Sequence, residues 1–168
     1  YLSTMTDLLA GQGVGLDQLL QGTGLKSIDM KEEFSVSAEQ MDTVCLHALE
    51  LTNDQQFGLQ LGSCINISSQ GIFGYALMTS ATVGDALKLL IRYSRAILPS
   101  IHIEVQQHDG RVDVVVEATH LPLALERFYC EVLFAAILHN GSMLVGDRPV
   151  VTTLELDYTA PCDAKAYV

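Results

Sequence analysis

Apolar residues recur at helical spacing through most of the first hundred positions, give way to strict alternation, and then return to a long helical run. Leu2 to Ala10 and Leu16 to Leu20 read as two short helices, the first ended by Gly11, Gly13 and Gly15 and the second by Gly22 and Gly24. Lys26 to Phe34 is polar and irregular and is expected to cross the surface. Ser37 with Gln40 has the form of a capping box and opens a helix to about Leu51, with Met41, Val44, Cys45, Ala48 and Leu49 on one side. Asn53 with Gln56 repeats the device ahead of a short helix through Phe57 to Leu61, which Gly62 is expected to stop.

Cys64 to Gln70 reads as a short extended piece and Gly71 to Thr79 as a further helix. Thr82, with Asp85 three residues on, then starts the first long helix, Val83 to about Leu98, which Pro99 stops. Val83, Ala86, Leu87, Leu90, Tyr93 and Ile97 are spaced to face a core, while Lys88, Arg92 and Arg95 share another face.

The alternation that follows predicts a hairpin. Ile101, Ile103 and Val105 alternate with His102, Glu104 and Gln106, Asp109-Gly110 supplies the two positive φ angles of a type I′ turn, and Val112, Val114 and Val116 return. That register sets Val105 opposite Val114 and Ile103 opposite Val116, with His102 against Glu117 and Gln106 against Asp113 on the other face. Pro122 and Gly141 bracket a second long helix, Leu123 to Leu138. It is apolar almost all round, which places it centrally or against another subunit. Val150 to Leu156 alternates as a third strand. The elements together predict an α+β fold: a small, mainly antiparallel sheet covered on one face by two long helices, with a helical amino-terminal region.

Length changes little in this picture: 168 residues suit one domain with a sizeable core. The net charge of −11, with only nine Lys and Arg, argues against nucleic-acid binding by this segment itself. Glu126, Arg127 and Glu131 interrupt the apolar run from Leu121 to Leu138, which argues against a membrane span, and the first residues lack a secretory pattern. A start at Tyr1 rather than Met reads as an excerpt of a longer chain. Cys45, Cys64, Cys130 and Cys162 are scattered without a C-x-x-C pair, as in a reducing cytoplasm.

Phe57-Gly58-Leu59-Gln60-Leu61-Gly62, the run Gly71-Ile72-Phe73-Gly74-Tyr75-Ala76-Leu77-Met78-Thr79-Ser80-Ala81-Thr82-Val83-Gly84-Asp85-Ala86-Leu87, and Arg92-Tyr93 follow one another in an order that resembles the amino-terminal effector domain of AraC-type transcription regulators. The resemblance covers about Gly15 to Tyr158 and belongs to the branch often labelled arabinose-binding-like. It implies one effector-binding and dimerisation domain over 1–168, cytoplasmic and homodimeric, that takes a small metabolite. DNA would be reached only through a helix-turn-helix domain absent from this chain.

Candidate ligand contacts come from residue chemistry. Lys88, Arg92 and Arg95 place three of the nine basic residues within eight positions, where they could hold a carboxylate or phosphate. The competing reading is a solvated face that balances the acids. Phe73, Tyr75, Tyr93, Phe128 and Tyr129 lie on three helical segments expected to pack together, as pocket wall or as plain core. Tyr75 and Tyr93 are the favoured contacts, because a buried phenol needs a partner.

Other chemistries find less support. Gly11-Gln12-Gly13-Val14-Gly15 has no strand before it and no Gly-Lys-Ser/Thr after it, so it reads as a linker. No G-x-S-x-G or paired-carboxylate pattern recommends an enzyme. No cofactor is implied; a haem or metal sensor using His47 or His139 is a third reading, behind a purely structural dimerisation module without ligand.

Overall fold

The computed structural model describes residues 2–26, 36–146 and 153–158. Seven α-helices and one hairpin are formed among them: α1 Leu2–Gly11, α2 Leu16–Leu19, α3 Ala38–Thr52, α4 Phe57–Cys64, α5 Gly71–Met78, α6 Val83–Ile97, β1 Ile101–His108, β2 Arg111–Ala118 and α7 Leu123–Val145. The fold is α+β, with helices before and after an antiparallel pair.

Local chemistry sets most boundaries. The Ser37 hydroxyl accepts from the Gln40 amide while the Gln40 side chain accepts from the Ser37 amide, so both halves of the predicted capping box are present at α3. Thr82 accepts from the Asp85 amide at α6. Asp109 and Gly110 both take positive φ, and the strands pair in the predicted register, Ile103 with Val116 and Val105 with Val114.

Several expectations are corrected. Asn53 closes α3 in a left-handed conformation rather than capping α4, and it is Asp54 whose carboxylate accepts from the Gln56 amide. Gly62 lies inside α4 and Gly141 inside α7, which runs on to Val145 before Gly146 takes positive φ. Between α4 and α5 the chain forms a 3-10 turn, Ile67–Ser69, in place of an extended piece. Residues 153–156 are irregular where a third strand was expected, and the start of that expected strand, along with Lys26 to Phe34 beyond Lys26 itself and up to Phe34, lies outside the described residues.

The core is centred on α7. Leu125, Phe128, Tyr129, Val132 and Leu133 bury there against Phe57 and Leu61 of α4, Val44, Cys45 and Ala48 of α3, Met5 and Leu9 of α1, and Ile101 and Ile103 of β1. The most extensive helix pairing is α4 on α7, while α6 packs on β1 and α7 reaches β2. By length and composition α7 could cross a membrane. Here it carries buried Glu131 and Asn140 and supplies the core of the domain instead.

Close approach of α4 depends on two glycines one turn apart. A Cβ at Gly62 would run into the Val132 carbonyl and stand 2.7 Å from the Ala135 Cβ; one at Gly58 would stand 2.9 Å from Glu131 Oε2. Farther along α7, the Asn140 side chain accepts from the Ile67 amide at 2.7 Å and donates to the Ile65 carbonyl at 2.8 Å. The backbone leading into α5 is thereby fixed to α7.

Candidate functional site

The sequence-nominated residues fall into three places. Phe128 and Tyr129 are in the core, 1% and 5% exposed. The Phe128 ring stacks on Phe57 with centroids 6.0 Å apart and meets Tyr129 edge-on at 5.5 Å. The Tyr129 hydroxyl donates to Asp42 Oδ1 at 2.6 Å, tying α7 to α3.

A second group sits where α5 meets α6. Phe73 and Tyr93 touch at 5.7 Å between ring centroids, and Tyr75 is 66% exposed beside Ile72 at 91%. Tyr93, at 45%, also reaches solvent. The expected clustering of all five aromatics is thus only partly realised: two pairs form, on different elements.

The third group is the basic face of α6. Lys88, Arg92 and Arg95 are all exposed. At about 100° per residue, Arg92 points about a quarter turn away from Tyr93. Lys88 bonds Asp85 at 3.1 Å, and the Thr82 hydroxyl together with Lys88 holds the Asp85 carboxyl below its ordinary range. Among the described residues, Arg92 and Arg95 have no salt-bridge partner.

The helix itself explains why this region stays open. Its apolar positions were expected to be core, yet Val83 and Tyr93 are exposed and the most enclosed described side chain of α6 is Ser94, at 3%. The Ser94 hydroxyl donates back to the Ile91 carbonyl, which lets a polar group be enclosed without an unmet bond.

Buried titratable groups perturb one another near α7. Burial first, then the adjacent Cys45 thiol and Asp42, pushes the Tyr129 phenol far above its ordinary range. Burial, with Asp157 and Glu126 nearby, raises the Cys130 thiol to about 11. A raised Tyr129 value means the native state keeps a proton that the unfolded chain loses above about pH 10, so this contribution is complete below that pH and is lost as pH climbs past it. Tyr129→Phe should therefore cost about 1–2 kcal/mol near neutrality, and urea midpoints of the two proteins should converge as pH rises above 10. A constant gap would place the bond's worth elsewhere.

Sequence reasoning passed over one cluster, formed by Arg127, Glu131 and Tyr158. Arg127 Nε donates to Glu131 Oε1 at 2.7 Å, and the Tyr158 hydroxyl donates to the same oxygen at 3.2 Å. The i, i+4 spacing of the first two was the available signal. No group of three or more His, Cys, Asp or Glu suited to a metal ion occurs among the described residues.

Residues 13–168, which take in the helical frame around α7 and the α5–α6 run, match the family described as the arabinose-binding domain of AraC transcription regulators, amino-terminal, and the chain belongs to that family. The family is one of transcription regulators, not enzymes. Among individual proteins, the chain is 28% identical over 170 residues to the ornithine utilization regulator of Pseudomonas aeruginosa, covering 99% of this chain and 50% of that one. It is 27% identical over 131 residues to uncharacterised HTH-type transcriptional regulators of Mycobacterium bovis and Mycobacterium tuberculosis, covering 76% of this chain and 38% of each. The chain thus spans half or less of the length of these relatives.

Proposed function

We propose that this is the sensing domain of a cytoplasmic, homodimeric AraC-type regulator, in which a small metabolite alters how an attached helix-turn-helix domain engages DNA. The family match over residues 13–168 carries the reading. Contact with DNA belongs to the attached domain, because this chain carries a net charge of −11. Switching requires an effector that prefers one of two arrangements, since equal affinity for both shifts nothing.

On this reading the effector binds at the α5–α6 junction. Tyr75 and Tyr93 offer phenols beside apolar Ile72 and Phe73, and Arg92, Arg95 and Lys88 bring positive charge to the neighbouring face. These five polar contacts are reachable without opening the core; Phe128 and Tyr129 are not, and would join only in a rearranged state. An anionic or carboxylate-bearing metabolite fits the basic groups, and the relative named for ornithine utilisation adds amino acids to the candidates.

A thermal-shift screen against amino acids and organic acids tests the reading. Ligand at a hundred times its Kd should add about 2.7 kcal/mol to stability. Arg92→Ala should then weaken binding at least about tenfold, roughly one charge-assisted hydrogen bond, with the melting temperature nearly unchanged. A large stability loss with binding intact would reassign Arg92 to structure.

A second reading, a dimerisation module without ligand, draws on the exposed apolar side chains of α7, Leu123, Leu138, Met143 and Leu144. A flat screen with a dimer in sedimentation would favour it.

A further inference from the structure

We infer that Arg127, Glu131 and Tyr158 form a clasp that couples segment 153–158 to the seating of α4 on α7. The inference rests on the regulatory reading, in which a change of packing inside the domain must be passed to the chain beyond α7. Its parts come from two separate stretches of sequence, α7 and segment 153–158, and they meet a third at the start of α4.

Glu131 projects from α7 with its side chain only 2% exposed, and Arg127, one turn earlier, is 22% exposed. Besides its 2.7 Å bond to Glu131, Arg127 donates through Nη2 to the Gln55 carbonyl at 3.2 Å, just ahead of α4. Tyr158 gives its hydroxyl to the same Glu131 oxygen and lays its ring 5.2 Å from the guanidinium carbon. Gly58, in the first turn of α4, leaves the space that Glu131 occupies.

One enclosed carboxylate therefore meets both the first turn of α4 and the docked phenol. A carboxylate removed from water holds its place through the donors around it. If α4 shifts and displaces Glu131, its oxygen leaves the Tyr158 hydroxyl. If Tyr158 departs, the Arg127–Glu131 pair loses a bond and a ring, and its grip on Gln55 loosens. Coupling between the two sites has the same size in either direction.

Hydrogen–deuterium exchange on the 168-residue chain reads both directions without any effector. Tyr158→Ala should speed exchange in 153–158 and also, by about threefold or more, at the α4 amides 60–62, with α1 unchanged. Gly58→Ala, which displaces Glu131 from the α4 side, should speed exchange in 153–158 by a similar factor. Arg127→Lys keeps the charge but loses the forked geometry, and should do the same more mildly even if Gly58→Ala does not fold.

The clasp is overturned if Tyr158→Ala opens 153–158 while 60–62 keep their rates, or if Arg127→Lys leaves 153–158 unaffected. Because no ligand enters this measurement, its failure leaves the effector reading standing, and a flat ligand screen leaves the clasp standing.

Discussion

Gly62→Ala should lower stability by about 2–3 kcal/mol, although alanine is the better helix former by about 1 kcal/mol. The sign is decided by space. A methyl group at this position meets the Val132 carbonyl and the Ala135 Cβ, which are parts of a neighbouring helix rather than the tip of a flexible chain. Relief would require α4 to lift from α7, opening the most extensive helix interface in the domain. Urea unfolding gives the measurement, with the m-value unchanged if the native state stays compact. Gly84→Ala is the matched control: the added Cβ lies 3.7 Å from Thr82 Oγ1, an ordinary contact, so stability should hold or rise. Equal effects at the two glycines would remove close helix approach as the cause.

Phe128→Ala should cost about 3–5 kcal/mol, since the ring is fully enclosed and stacked on Phe57 and its loss leaves a cavity in addition to the lost burial. Tyr93→Ala, on the exposed α5–α6 junction, should cost less than about 1 kcal/mol. The contrast separates two aromatic residues that look alike in sequence. Guanidinium unfolding midpoints for the two variants decide it, and a stability loss at Tyr93 as large as that at Phe128 would show that the junction is core.

Strong local chemistry made parts of the fold legible. Alternation on both sides of Asp109-Gly110 leaves one register that sets Ile103 and Val105 opposite Val116 and Val114 on one face, and that is the register found, with Val115 alone of the valines on the other face opposite Glu104. Ser37 and Thr82 cap their helices because a hydroxyl three residues ahead of an orphan amide has an obvious partner. Asn53 was misread because asparagine serves both ends of a helix, accepting at the start and tolerating the left-handed turn at the finish. Gly62 differs from its expectation for a related reason: glycine that ends a helix and glycine that lets another element approach carry the same letter.

The candidate site was less legible. Spacing placed Lys88, Arg92 and Arg95 on one face and Tyr93 on another, but it could not say which face a neighbouring helix would cover. Phe73 and Tyr93 meet because the chain between them folds back at Ser80 to Thr82. Phe128 and Tyr129 are held elsewhere by α3 and α4, through contacts distant in sequence. Tyr158 returns to α7 from outside any periodic segment, so no local pattern announced it.

The amide of Asn140 has a mechanical consequence. At Ile65 and Ile67 it supplies the pair of hydrogen bonds that an adjoining strand would otherwise provide. The entry to α5 is therefore pinned to α7 by a side chain rather than by a ladder of backbone bonds, while α6 is held separately by its packing on β1. A roll of α7 would thus be felt first at the start of α5, between two anchors of different kind: a swivelling amide at one end and an apolar seat on β1 at the other.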